Sequence, residues 1–220
     1  MKNILMNTEM TKAILDGSKT QTRRVGITNH GKYIIDDNLL KSYKLSNQDI
    51  LKCGKYQKDE VIWVREPARI RDVRINIDDI GSEAFMDYVY SDGSKRTMKI
   101  PERFNIGNRN IFPKWIRTRS GIPNGCIKEM ARIFLKITDV RVERLQDISL
   151  DEIEKEGFVC DNFEQFFEQD NETKQIFLSQ WWVGLWNKTA PKGYDWDSNP
   201  FVFVYEFERV NKDGSEICKK

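Results

Sequence analysis

Residues 132–157 read Arg132-Ile133-Phe134-Leu135-Lys136-Ile137-Thr138-Asp139-Val140-Arg141-Val142-Glu143-Arg144-Leu145-Gln146-Asp147-Ile148-Ser149-Leu150-Asp151-Glu152-Ile153-Glu154-Lys155-Glu156-Gly157. The apolar, β-branched run up to Leu145 predicts a central strand, either unbroken or as two pieces joined near Thr138-Asp139. Ser149 followed three residues later by Glu152 is a capping box. The short helix that it opens ends at Glu156-Gly157, where glycine supplies the left-handed stop.

Working outward, Ile4 to Met6 reads as a strand leading into a helix over Thr8–Asp16, with Met6, Met10 and Ile14 at four-residue spacing and Gly17 as the stop. Residues 26–58 show little periodicity and read as loop with a short helix around 46–52. Asp59 to Glu66 is a strand with both faces largely apolar, ended by Pro67. Tyr88-Val89-Tyr90 turns through Asp92-Gly93 towards Thr97-Met98 as a hairpin. A helix over 171–186 follows from Phe177, Trp181 and Leu185, and from Leu178, Trp182 and Trp186. Phe201 to Phe207 is a strand of high β-propensity, and the tail after Val210 is expected to fray. Strands and helices without regular βα alternation predict an α+β fold, a curled mixed sheet or small barrel with flanking helices. The length fits one domain over 1–220 with an insertion or arm at about 68–125.

Composition narrows the function classes. The 36 basic and 34 acidic residues leave a formal charge of +2, far from the cationic excess with which proteins grip long duplexes, so any nucleic-acid contact should be local. No apolar run approaches the ~20 residues needed to cross a bilayer, and the start is too short for a signal peptide, so a cytoplasmic location is expected. Cys53, Cys126, Cys160 and Cys218 are scattered, without a CxxC pair and with His30 as the single histidine. No metal site is expected from that set, and reduced thiols fit it best. No GxGxxG or Walker-type loop occurs, and no cofactor is implied.

The most informative string is Gly17-x-Lys19-x-x-Thr22-x-Arg24. Thr22 and Arg24, two apart, share a strand face, whereas Lys19 and Thr22 differ by an odd number and share a pocket only if Lys19 sits in the turn. The plain alternative is a solvated polar edge strand. Glu66 closes a largely apolar strand, so its carboxylate needs a partner: the donor edge of a cytosine or adenine, or an arginine such as Arg65 in a structural ion pair. Trp63, Trp181, Trp182, Trp186 and Trp196 invite base stacking, yet the spacing of most of them matches a helix or strand core.

Gly17-Ser18-Lys19-Thr20-Gln21-Thr22-Arg23-Arg24 resembles the GxKxxTxR signature of ASCH domains. The blocks Val61–Glu66, Thr138–Ile148 and Trp196–Val204 resemble a phage-associated group of that family in the same order. The resemblance covers about the first 25 residues, 59–67, 125–157 and 180–209. Lys58 stands where that group usually has glycine, and the segment from Cys126 to Met130 looks shorter than in similar proteins and lacks their His-Met-Pro string. The resemblance implies a PUA-like fold and a bacterial or phage-infected host cell. Its implied partners are RNA, single-stranded nucleic acid or a modified nucleoside. A bacterial branch of the family removes the acetyl group from N4-acetylcytidine with a lysine, a threonine and a glutamate, which match Lys19, Thr22 and Glu156. Ribonuclease activity and non-catalytic RNA binding are also attributed to the family, and phage relatives suggest an accessory protein acting through protein contacts.

The chemistry of these residue types is consistent with amide hydrolysis. Thr22 can attack or hold the attacking water. Lys19 can serve as base if burial and the neighbouring Arg23 or Arg24 disfavour its ammonium form, and as oxyanion stabiliser if it stays charged. Glu156, at the negative end of its helix, can donate to the leaving amine when protonated. The bland alternative is an ordinary exposed helix glutamate. Arg23, Arg24, Trp63 and Glu66 complete the set as substrate-binding candidates.

Overall fold

A computed structural model describes residues 1–26, 35–36, 47–78, 81–104, 113–118, 121–122, 125–158 and 170–217. The elements in chain order are β1 (Asn3–Leu5), α1 (Thr8–Asp16), β2 (Gln21–Val25), α2 (Asn47–Lys52), β3 (Val61–Arg65), β4 (Ala68–Asp78), β5 (Gly81–Tyr90), β6 (Lys95–Lys99), α3 (Lys114–Arg117), β7 (Phe134–Arg144), α4 (Leu150–Lys155), α5 (Asn171–Thr189) and β8 (Phe201–Val210). The mixture is α+β, as expected, with both parallel and antiparallel pairing. The described strands form open sheets, not a closed barrel. His30, Cys160, Cys218 and most of the loop expected over 26–58 lie outside the described residues.

The chain divides into two compact units, each assembled from discontinuous segments: Met1–Lys12 with Trp63–Phe134, and Ala13–Ile62 with Leu135–Lys220. In the first, β1 runs parallel to the end of β3, with Asn3 opposite Trp63 and Leu5 opposite Arg65. A three-stranded antiparallel sheet follows, β4-β5-β6, with a bulge between Ile70 and Asp72. Period-two alternation makes this sheet one-sided. Ile70, Met86, Tyr88 and Tyr90 are buried, while Arg69, Arg74 and Lys99 are exposed. The hairpin expected at Asp92-Gly93 is present, with Gly93 at φ +88° and the Asp92 carboxylate accepting from the Ser94 amide at 2.9 Å.

In the second unit β7, β8 and β2 lie side by side in that order, with Thr22 opposite Tyr205 and Arg24 opposite Phe203. The tryptophans of α5 pack where the helical spacing predicts. Trp182 and Trp186 are buried with Leu178, Ile153 and Leu145 against Val202 and Val204 of β8, and Trp181 is partly buried against the same cluster. The capping box on α4 forms in both directions: Ser149 accepts from the Glu152 amide, and the Glu152 side chain accepts from the Ser149 amide at 3.0 Å. The tail after Val210 does not fray as expected over its described residues. Asn211 donates to Ser215 at 2.8 Å, and Val210 bridges Glu216 through the turn at Gly214.

Tyr205 of β8 and Tyr56 meet edge-on in this unit, 5.0 Å between ring centres. Burial pushes the Tyr205 phenol up to about 12, and Tyr56 is raised in the same direction by its own burial. Between pH 10 and 12 the folded chain therefore holds protons that the unfolded chain sheds. Unfolding free energy should fall by about 2–3 kcal/mol for Tyr205 alone as pH rises through that window. Urea midpoints at pH 9, 10, 11 and 12 measure the fall, and Tyr205→Phe should flatten it.

Candidate functional site

Three local features bring Lys19 to Glu156, both in the second unit. Gly17, at φ +91°, ends α1, and the Lys19 amide donates back to the Ala13 carbonyl at 2.9 Å. Lys19 then lies two positions before Gln21, the first residue of β2, and forms an isolated antiparallel bridge with Glu156. Glu156 is the C-cap of α4, and Gly157 follows at φ +90°. A Cβ on Gly157 would sit 2.9 Å from both the Ala13 and Lys19 Cβ atoms, so glycine is required there by conformation and by space.

The two side chains meet directly. Lys19 Nζ donates to Glu156 Oε2 at 2.8 Å and to the Glu156 carbonyl oxygen at 2.7 Å. Both residues are 2% exposed, which rules out the bland reading of Glu156 as a surface glutamate. Burial lowers the Lys19 pKa below its ordinary value of 10.5, and the nearby Arg24 and Arg23 act in the same direction, against the opposing pull of Glu156.

Arg23 widens the pair into a network. Its Nη1 donates to Glu156 Oε1 at 3.2 Å, and its Nε and Nη2 donate to Glu143 Oε1 at 3.0 and 2.5 Å. Nη2 also lies 3.1 Å from Glu152 Oε2. Arg141 on β7 pairs with Glu143, Glu152 and Glu206. Arg23 stands over the Trp182 ring at 5.8 Å.

Glu143, Arg141 and Glu206 escaped the sequence reading, as did the part that Glu152 plays beyond its capping box. Their signal was periodic: Arg141 and Glu143 are two apart on a strand, and Glu152 and Glu156 are four apart on a helix, so each pair shares a face. No apolar pattern marks such a polar face.

The remaining candidates fall elsewhere. Thr22, 1% exposed, follows the opposite alternation from Arg23 on β2, and no hydrogen bond joins it to Lys19 or Glu156 among the described residues. Arg24 shares the Thr22 face and is partly buried, and desolvation lowers its pKa. Trp63 and Glu66 belong to the first unit. Trp63 is 5% exposed and packed as core. Glu66, fully buried, has its partner in Arg132, not Arg65: Nε donates to Oε1 at 2.8 Å and Nη2 to Oε2 at 2.6 Å. Arg132 also binds Asp92 at 2.8 Å and covers the Tyr90 ring at 4.0 Å.

Lys19, its side chain 0% exposed, borders a cavity of about 510 Å³ with Ile14, Gly17, Phe207, Arg209 and Glu216, and Glu156, Arg23 and Thr22 are not among its lining residues. That volume is within the range of small-molecule sites. No helix among the described residues is long and apolar enough to cross a membrane. No family model, curated protein or solved structure matches the chain.

Proposed function

We propose that the chain is an ASCH-like, PUA-related protein that takes a modified nucleoside and hydrolyses an acyl amide on its base, with N4-acetylcytidine as the first substrate to try. The observation that carries this reading is the buried contact of 2.8 Å between Lys19 and Glu156, made by residues 137 positions apart. The reaction requires one proton to pass from Nζ to the carboxylate, which turns an ion pair into a neutral amine beside a neutral acid, and the burial that lowers the Lys19 pKa acts in that direction at Nζ.

The neutral Lys19 amine takes a proton from the nucleophile as its oxygen bonds to the acyl carbon. Glu156 gives its proton to the base nitrogen as the carbon–nitrogen bond breaks. The products are a carboxylic acid and the free exocyclic amine, and the pair ends as ammonium and carboxylate with its total charge unchanged. The alternation along β2 turns Thr22 away from Arg23 and favours water as the nucleophile. Arg23 acts as a positioning residue, because its guanidinium spans Glu143, Glu152 and Glu156.

A second reading, a binding module without turnover, is favoured by one specific observation: Lys19 Nζ already has two acceptors and sits in an ion network that has stability uses of its own. Chelator-treated protein incubated with acylated cytidines decides between them. Release of cytidine, followed by chromatography, is expected. Absence of release from folded protein across several acyl groups leaves the binding module.

A further inference from the structure

We infer that the outer face of the β4-β5-β6 sheet is a docking surface for single-stranded RNA. The inference extends the reading above from a nucleoside to a strand but uses no step of the hydrolysis.

The register defines the surface. Reading across the sheet, Arg74, Phe85 and Lys99 form one row; Asp72, Asp87 and Thr97 form the next; Arg69, Val89 and Lys95 form a third. All belong to the face opposite Met86, Tyr88 and Tyr90, the buried one. The acidic groups here are engaged. Asp87 accepts from Arg74 at 2.8 Å and from Thr97 at 2.6 Å, Glu83 accepts from Lys99 at 2.6 Å, and Asp72 has a partner as well. The hydrogen bond from Thr97, with help from Arg74, holds the Asp87 carboxyl below its ordinary range.

The basic groups are in surplus. Among the described residues Arg69, Arg71 and Lys95 are exposed and have no ion-pair partner; Arg96, paired across the sheet with Tyr88, belongs to the other face. Arg71 stands at the bulge after Ile70, where the irregular backbone takes it out of the alternation. Arg71 and Lys95 line one groove of about 640 Å³ together with Asp72, Arg74, Asp87 and Thr97 of this face.

Charge complementarity points to a polyanion, and the aromatic points to its class. Phe85, on the central strand and partly exposed, is flanked across the sheet by Arg74 and Lys99. A ring on a flat sheet with cations on both sides suits a stacked base between phosphates, which an acidic peptide does not supply. Three free cations suit a short single strand and fall short of the many phosphate contacts that hold a duplex.

The test is fluorescence anisotropy with a labelled, unmodified RNA of about 12 nucleotides, within the span that such surfaces cover. With about three phosphates neutralised, log affinity against log salt should slope at about −2, and R71A/K95A should bring it to about −0.7 with affinity about 25-fold weaker at about 0.1 M salt. Both residues are exposed and unpaired among the described residues, so the urea midpoint of the variant should match the parent's. Phe85→Ala should cost a further tenfold or so. Absence of binding at about 50 mM salt, binding unchanged in R71A/K95A, or equal binding of polyglutamate or duplex would each overturn the inference. Because the probe carries no acyl group, loss of binding here and loss of turnover at Lys19 are read independently.

Discussion

Glu156→Ala is expected to lower the unfolding free energy by about 3–5 kcal/mol, because it leaves a buried cation without its anion. The Lys19 side chain is 0% exposed and that of Arg23 is 0% exposed, so water cannot replace the lost carboxylate at either. Arg23 retains Glu143 and Glu152, whereas among the described residues Lys19 retains only the Glu156 carbonyl oxygen. The cost therefore falls on Lys19, which is expected to lose its proton in the variant. Glu156→Gln should cost less, since an amide oxygen still accepts from Nζ. Guanidinium midpoints of the two variants measure the difference. A midpoint for Glu156→Ala within about 1 kcal/mol of the parent would falsify the buried pair as a unit of the fold.

How much of this could be read in advance depended on whether apolar groups carried the signal. The spacing of Leu178, Trp182 and Trp186 predicted a helix that buries those rings, and it does. The Ser149 capping box depends on one residue pair and formed as read. The β4–β5 pair, by contrast, is far longer than the hairpin expected at Asp92-Gly93. In Ala68–Asp78 the strand alternation is carried by Arg69, Arg74 and Asn76 outward, and the bulge after Ile70 shifts the phase midway, so a period-two scan loses it.

The site divides along the same line. Lys19 and Glu156 were found through a motif and a helix end, whereas the odd spacing was read for Lys19 and Thr22, which no hydrogen bond joins among the described residues. The ring of Glu143, Glu152, Arg141 and Glu206 was not found, because ion networks depend on which polar faces the tertiary fold brings together. Glu66 shows the reverse. Its need for a partner was legible at the end of an apolar strand, but the partner, Arg132, lies 66 positions away and no local pattern names it.

The second large effect separates stability from chemistry at the same pair. Lys19→Met should cut turnover of an acylated cytidine by about 100-fold or more, since it removes the proton acceptor held against the acid. It should also destabilise, by leaving the Glu156 carboxylate with Arg23 as its remaining cation. Combining Lys19→Met with Glu156→Gln removes both charges from the buried contact, keeps the volume, and leaves an amide oxygen for Arg23 Nη1. The double variant should regain stability to within about 1–2 kcal/mol of the parent, the residue being the hydrogen bond lost at the Glu156 carbonyl. Its turnover should stay as low as that of the worse single variant and fall no further, because two groups that pass one proton cycle fail as a unit. Paired measurements of guanidinium midpoint and cytidine release on the four proteins complete the cycle. Recovery of both stability and turnover in the double variant would show that the pair holds the fold and performs no proton transfer.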